Sequence, residues 1–309
     1  MILTLTINPA VDRNLTVDRL AFEDRGYILE STETPGGRGI NASRVIHSFG
    51  GATLAIATCG GKAGDRFEKL LSSCGFDFEV VKIRKEIRTN LTISDTNGLT
   101  VKLNERGPEL AAKELAAVEE TVEKHLRKAK WLLLCGSIPP KTPSHFYCRL
   151  IEKARAGGVQ TLLDTDGDAL LHGMEAHPSV VTPNQHEAER LLNRALITRM
   201  HFLDAARRIQ LMSGNSVILS LGARGAMAVH DGVVFELIPP RVEALCPIGA
   251  GDAMAAAFAW AMSNGEKFID AVRWGVAAGT ASARLPGLMF ASLEDTKEIY
   301  QQVEVRLAG

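Results

Sequence analysis

The chain has 309 residues and a formal net charge of −1, a length that suits one large α/β domain with a minor subdomain. A near-neutral balance supplies no bulk attraction for nucleic acid or an anionic membrane, so neither is expected as a partner. Apolar residues make up 46%, enough for a sizeable core, yet no window resembles the run of about 20 apolar residues that spans a bilayer.

Leu3 to Ile7 reads as a first, central strand ended by the turn pair Asn8-Pro9, without the basic region or cleavage site of a signal peptide. Residues 14–35 are polar and mixed, with strand-like pieces at Leu15-Thr16-Val17 and Tyr27-Ile28-Leu29. A helix is expected from Ile40 to Phe49, a buried strand from Ala52 to Cys59, a helix from Asp65 to Leu71 and a strand from Phe78 to Ile83. Leu91-Thr92-Ile93-Ser94 and Thr100-Val101-Lys102-Leu103, joined through Asp95-Thr96-Asn97-Gly98, carry a β-hairpin signal. Residues 14–35 and 88–104 are therefore expected to form a small β-sheet lid on an α/β core of 1–13, 36–87 and 105–309. Such an extension commonly closes over a cleft.

From Gly107-Pro108 onward helix and strand alternate. Glu109 to Lys130 reads as a helix, Trp131 to Cys135 as a continuous apolar strand, and Ser144 to Ala156 as a helix stopped by Gly157-Gly158. Thr161 to Asp164, Val180 to Thr182 and Val217 to Ser220 are further strands, and Ala226 to His230 with Val233 to Leu237 make a late hairpin. Helices are expected at 253–264, at 268–283 and near 293–306. The alternation predicts a three-layer α/β/α, doubly wound, mostly parallel sheet. Ligands gather at the C-terminal strand ends of such sheets. The polar residues there are Asn8 with Asp12, Gly136-Ser137, Asp164, Thr182 with Asn184, and Ser220-Leu221-Gly222.

The five cysteines are scattered, with no C-x-x-C pair, which suits reduced thiols and a cytoplasmic protein. The eight histidines show no metal-binding spacing.

Gly249-Ala250-Gly251-Asp252 runs into the small-residue segment Ala253 to Trp260. It reads as a tight loop feeding a helix N-terminus, where unpaired N–H groups and the helix dipole favour a phosphate. Asp252, beside that anion site, could accept the proton of an attacking hydroxyl, or serve only as a helix cap. Gly37-x-Gly39-x-x-Ala42 matches a dinucleotide fingerprint in form only. It follows no apolar strand, and no acid stands about 20 residues downstream.

Several segments together resemble the ribokinase-like PfkB family of carbohydrate kinases. Asn8-Pro9-Ala10-Val11-Asp12 is similar to its opening sugar-binding segment, Pro35-Gly36-Gly37-Arg38-Gly39-Ile40-Asn41-Ala42 to its first signature, and Ile248 to Ala253 to its second. Between them, in the family's order, stand Gly136-Ser137-Ile138-Pro139-Pro140, Thr182-Pro183-Asn184-Gln185-His186-Glu187 and Ser220-Leu221-Gly222-Ala223-Arg224-Gly225-Ala226. The nearest branch is that of phosphofructokinases and tagatose-6-phosphate kinases, fructose-1-phosphate kinases included.

The resemblance implies an ATP-dependent phosphotransferase acting on a sugar-phosphate hydroxyl, most readily a fructose phosphate. Asp252 would be the base, and the N–H groups of 249–252 would hold the transferring phosphoryl. Asp12, Gly36, Gly37, Asn41 and Ser137 would bind the sugar, and Arg88, Arg25 and Arg38 its phosphate. Asn184, Ser220, Gly222 and Gly225 would contact the nucleotide. Glu187 with Asn184 would organise Mg²⁺, the expected cofactor, through water. A homodimer through the lid is expected on the same ground.

Two departures stand out. Cys246-Pro247 precede the second signature where a polar pair is usual, and Arg38 stands where lysine is frequent. Three alternatives leave different marks. A kinase of unphosphorylated sugars or nucleosides would not need Arg88. A non-catalytic sugar-phosphate sensor would bind ligand without ATP turnover. A nicotinamide-dependent enzyme would bind NADH and not ATP.

Overall fold

A computed structural model describes residues 1–21 and 23–308. The chain opens with β1 (Ile2–Thr6), β2 (Ala10–Val17), β3 (Ile28–Gly36), α1 (Arg38–Ser48), β4 (Thr53–Cys59), α2 (Gly61–Ser72) and β5 (Asp77–Lys82). It continues with β6 (Arg88–Asp95), β7 (Thr100–Asn104), α3 (Ala112–Leu126), β8 (Trp131–Cys135), α4 (Phe146–Ala156), β9 (Gln160–Asp164), α5 (Gly167–Glu175) and β10 (Val180–Val181). Then come α6 (Gln185–Leu192), α7 (Arg199–Ser213), β11 (Ser216–Ser220), β12 (Ala226–His230), β13 (Val233–Ile238), α8 (Ala250–Ser263), α9 (Phe268–Ala283), α10 (Leu293–Gln302) and β14 (Glu304–Leu307).

A ten-stranded sheet runs in the order β14-β13-β12-β11-β10-β9-β8-β1-β4-β5. Its strands pair in parallel from β11 through β5, and β12, β13 and β14 extend it antiparallel at one edge. The central strands carry apolar residues on both sides because helices cover both faces. Leu3, Leu5, Leu132 and Leu134 enter the core that also takes Phe67, Val118, Leu150, Leu170 and Ile209 from α2, α3, α4, α5 and α7. Ile2, Trp131 and Leu133, at alternate positions, enter the core built with Val45, Phe258, Val272 and Ile299 from α1, α8, α9 and α10. The expected three-layer architecture is therefore present. Among the described residues no helix is long and apolar enough to cross a membrane.

A separate four-stranded sheet, in the order β3-β2-β6-β7, joins the polar segments flanking the core. The β2–β6 pair is parallel, and β3 and β7 are antiparallel to it at the two edges. Its strands reach further inward than the apolar pattern of 14–35 suggests, so that Asp12 and Gly36 lie within it. Helix α10 is also shorter than the sequence predicts. Val303 takes an extended conformation and ends it. The segment Glu304–Leu307, alternating polar and apolar at strand period, pairs with β13 instead.

Helix α8 is uncharged except for Asp252, and Ala253 to Ala259 are all buried. Gly275 and Gly279 let α9 approach it: a Cβ on either would stand 2.8 Å from the carbonyl oxygen of Met254 or Ala250, respectively. This packing fixes where the N-terminus of α8 points.

Candidate active site

Gly249 caps α8 in the left-handed region at φ 81°, which glycine adopts without steric cost. The Ala250 N–H donates to Pro247 O at 3.3 Å. The unusual Cys246-Pro247 approach is thus part of the loop's own hydrogen bonding, and the N–H groups of Leu245 and Cys246 both donate to Ala283 O at the end of α9. Of the expected anion-binding amides, that of Ala250 is committed. Those of Gly251 and Asp252 have no acceptor among the described residues.

Asp252 is half-buried and accepts a hydrogen bond from Asn41 Nδ2 at 2.7 Å. Burial, and then the neighbouring Asp164 carboxylate, push its pKa up from 3.8 to about 7. A carboxyl there can exchange a proton near neutrality. The other amide atom of Asn41, Oδ1, is buried without a partner.

The cleft divides into two halves around Asp252. One is a cavity of about 180 Å³ lined by Arg38, Asp164, Thr182, Asn184, Glu187, Ser220, Gly251, Asp252 and Met254. Arg38 extends from the first turn of α1 into this half, where Nη1 donates to Asp164 at 3.0 Å. Its Nη2 donates to Asp166 at 3.3 Å and Glu187 at 3.2 Å. These carboxylates, Asp164 foremost, hold the guanidinium firmly protonated, while burial raises the carboxyls of Asp164 and Glu187. Asp164, a strand-end residue, and Asp166 were given no role by their local sequence.

Asn184 and Glu187 form a capping box on α6. The Asn184 side chain accepts from the Glu187 N–H at 2.9 Å, and the Glu187 carboxylate accepts from the Asn184 N–H at 2.9 Å. With Asp164 and Asp166 they offer hard oxygen donors of the type Mg²⁺ prefers. The three carboxylates converge on a cation, and the cation they meet is Arg38. Among the described residues no group of His, Cys, Asp or Glu side chains is placed to hold a metal by itself.

The other half lies where the small sheet meets the core. Asp12 accepts from Asn90 Nδ2 at 2.8 Å, and burial raises its carboxyl above the usual range. Gly36 lies diagonally across on β3, opposite Ala10: a Cβ there would stand 2.1 Å from Asp12 Oδ2, so this close approach suits glycine. Gly37 caps α1. Arg88 donates to Asn8 O at 2.9 Å and Glu105 O at 3.1 Å. Its buried Nε has no partner, and the same holds for Asn8 Oδ1 and Asn90 Oδ1. Ser137 Oγ accepts from Asn8 Nδ2 at 3.2 Å.

Lys102 on β7, which no motif marked, lies in the field of Asp12 and Asp252, and desolvation lowers its pKa. Its place opposite Thr92 in the hairpin is the one sequence signal for it.

Three expected residues stand apart. Arg25 lies in the exposed connection between β2 and β3, beyond Val17, which is itself about 17 Å along the strand from Asp12 at strand rise. Gly222 and Gly225 begin and follow a 3-10 turn after β11, outside the cavity lining that includes Ser220. Ser220 itself pairs with Asn184 through a β-bridge.

Known proteins share this fold. The model of the pfkB family of carbohydrate kinases matches residues 5–296. Phosphofructokinase-2 from Escherichia coli, in a structure with fructose-6-phosphate, is 30% identical with a TM-score of 0.89, covering 97% of this chain and 98% of its own. A protein from Thermotoga maritima described as a possible 1-phosphofructokinase is 23% identical, with TM-score 0.89 and coverage of 100% and 99%. Arabidopsis thaliana ribokinase, in complex with ribose and ATP, shares the fold at 19% identity, TM-score 0.77 and coverage of 97% and 98%. The match over nearly the whole chain, on a ribokinase-like fold, means that this protein belongs to the PfkB family of ATP-dependent carbohydrate kinases.

Proposed function

We propose that the protein phosphorylates a free hydroxyl of a sugar phosphate, a fructose phosphate first, with Asp252 as general base. The observation that carries this reading is Asp252 itself. Its carboxyl is raised to about 7, oriented by Asn41, and set at a helix N-terminus between the two halves of the cleft. The acceptor hydroxyl gives its proton to Asp252 as its oxygen attacks the terminal phosphorus of ATP, and ADP leaves. The N–H groups of Gly251 and Asp252 aim partial positive charge at the phosphoryl oxygens. Asp12 and Asn41 would fix sugar hydroxyls, and Ser137 would hold the Asn8 segment beside them. Arg88, with an unpaired Nε, suits the acceptor's phosphate.

Mg²⁺, when bound, would neutralise phosphate charge. Glu187 with Asn184 would organise it through water, with Asp164 and Asp166 beside them. Asn184, Ser220, Gly222 and Gly225 would accommodate the nucleotide on this side. The neighbour's own complex with fructose-6-phosphate supports a fructose phosphate as acceptor.

The small sheet would serve as a lid and as a dimer surface. Tyr27, Ile28, Leu29, Leu99 and Leu103 are each more than half exposed on it, and contiguous exposed apolar residues mark contact surfaces. Arg25, on the same exposed connection, would then serve a neighbouring protomer's cleft. The five free cysteines suit a cytoplasmic setting.

A coupled ADP-release assay over fructose 1-phosphate, fructose 6-phosphate, tagatose 6-phosphate and the free sugars tests the reading. Turnover should be fastest with a fructose phosphate. Faster turnover of unphosphorylated sugars would overturn the substrate class, and ligand binding without ADP release would overturn catalysis.

A further inference from the structure

Lys102, on the edge strand β7, carries a charge that neither the acceptor's phosphate nor the acidic cluster uses. In the small sheet Lys102 pairs with Thr92 of β6, two residues along from the row formed by Asp12, Asn90 and Asn104. Side chains alternate across a strand, so Lys102 shares a face with Arg88, Asn90, Thr92 and Asp12. That face carries the Asn90–Asp12 hydrogen bond and is the one turned to the acceptor half of the cleft. Asp12 and Asp252 both attract the Lys102 ammonium, yet among the described residues it has no hydrogen-bonding partner. Asn90 Oδ1 on the same face and Asn41 Oδ1 beside Asp252 are buried without a donor, which points to a hydroxylated ligand lying between them. The other cations near the cleft are committed or distant. Arg38 is spread over Asp164, Asp166 and Glu187. Arg88 opens β6 four residues before Thr92, about 13 Å along the strand from the level of Lys102.

We propose that Lys102 binds the phosphoryl group in its transferred position, so that a sugar bisphosphate is held between Arg88 at one end and Lys102 at the other. The inference rests on reading the protein as a kinase of a sugar phosphate with Asp252 as base. In that step the acceptor's hydroxyl oxygen bonds to the terminal phosphorus of ATP, the bond from that phosphorus to the bridging oxygen breaks, ADP leaves with that oxygen, and Asp252 takes the hydroxyl proton. The phosphoryl finishes beside Asp252, at the end of the sugar away from the phosphate it already had. An anionic group placed near both Asp12 and Asp252 is repelled unless a cation offsets them. The N–H groups of Gly251 and Asp252 supply only partial charge, whereas Lys102, in the field of both carboxylates, supplies a full one. The separation of Arg88 and Lys102 along one sheet face, less the inward reach of two long side chains, suits a ligand with an anion at each end. A monophosphate whose phosphate lies at Arg88 does not need Lys102.

The test compares binding of fructose 1,6-bisphosphate with that of fructose 6-phosphate and fructose 1-phosphate by isothermal titration calorimetry, without nucleotide. Lys102→Met should weaken the bisphosphate about tenfold or more, the scale of a hydrogen bond to a charged group, and leave the tighter-bound monophosphate within about twofold. Lys102→Arg, which keeps the charge, should retain most of the bisphosphate affinity. Equal weakening of both ligands is what a disturbed sheet gives, and no weakening is what a solvated lysine gives; either overturns the proposal. Lys102 is exposed at the sheet edge, where substitutions alter stability little. If Lys102→Met nevertheless does not fold, the ammonium NMR signal of Lys102 in the unaltered protein decides. It should shift with the bisphosphate and stay with the monophosphate; an unmoved signal, or the same shift with both, overturns the assignment. Discrimination by Lys102 without ADP release on any sugar phosphate would leave the two-ended grip standing and remove the kinase reading. ADP release without that discrimination would do the reverse.

Discussion

Replacing Asp252 by Asn separates the two properties assigned to this carboxyl. Its pKa rises from 3.8 to about 7 on folding. Keeping it ionised in the folded chain therefore costs on the order of 4 kcal/mol above neutral pH. Asn in that place can still accept from Asn41 and carries no charge. The sign follows from proton binding. Between about pH 4 and 7 the folded protein keeps a proton that the unfolded chain releases, so this group's stabilising contribution is full at acid pH and falls as pH rises through about 7. Urea unfolding at about pH 4, near the unfolded value of 3.8, should give similar stabilities for the two proteins. At pH 8 the Asn variant should be more stable, by up to a few kcal/mol. Catalysis should move the other way. Removing a general base costs about 10²- to 10⁴-fold in turnover, and kcat/KM of the unaltered enzyme should climb with pH through about 7. Retained turnover in the variant would refute the base assignment, and pH–stability curves that stay parallel from pH 5 to 8 would refute the electrostatic account of the site.

Arg88→Ala should lower kcat/KM for phosphorylated acceptors by about 30-fold or more, the scale for removing a partly buried charged partner, while leaving free sugars nearly untouched; an equal loss on both, measured by ADP release, would deny it a phosphate role. Gly36→Ala would set a methyl group 2.1 Å from Asp12 Oδ2 and should cost about 10²-fold in kcat/KM through a displaced sugar-binding carboxylate. A crystal structure with Asp12 unmoved, or unchanged kinetics, would count against that. Ile28→Asp with Leu103→Asp, at positions 57% and 53% exposed, should turn a sedimenting dimer into a monomer with little change in protomer stability, and an unchanged sedimentation coefficient would place assembly elsewhere.

The large sheet was legible because its central strands are continuous apolar runs, such as Trp131 to Cys135, bounded by glycine and helical patterns. The start of α8 at Gly249 was equally plain, since its glycines, aspartate and alanine-rich helix are contiguous. The small sheet was legible only at its outer end. Residues 10–14 and 32–36 mix buried positions with half-buried and exposed polar ones, so neither strand period nor a turn signal marks where they begin. The terminal strand β14 was hidden by the helix before it, because the five residues from Val303 are too few to reveal a change of period.

The acidic cluster failed to show for a different reason. Arg38 stands 126 residues from Asp164 and 149 from Glu187, and each of them alone reads as a solvated charge. A parallel sheet sends its C-terminal strand ends to one side, which was enough to place Asp164 and Asn184 near one cleft from sequence alone. It was not enough to choose a partner for Arg38, because a guanidinium on a long stem takes its contacts by reach. The motif it belongs to pointed toward the acceptor's phosphate, whereas its side chain is turned to Asp164, Asp166 and Glu187. Lysine, frequent at this position in the family the sequence resembles, has one compact ammonium and cannot splay across three carboxylates as a planar fork can. The difference between those two cations is therefore a difference in how many acids are held at once, and the metal half of the cleft is where it should be felt.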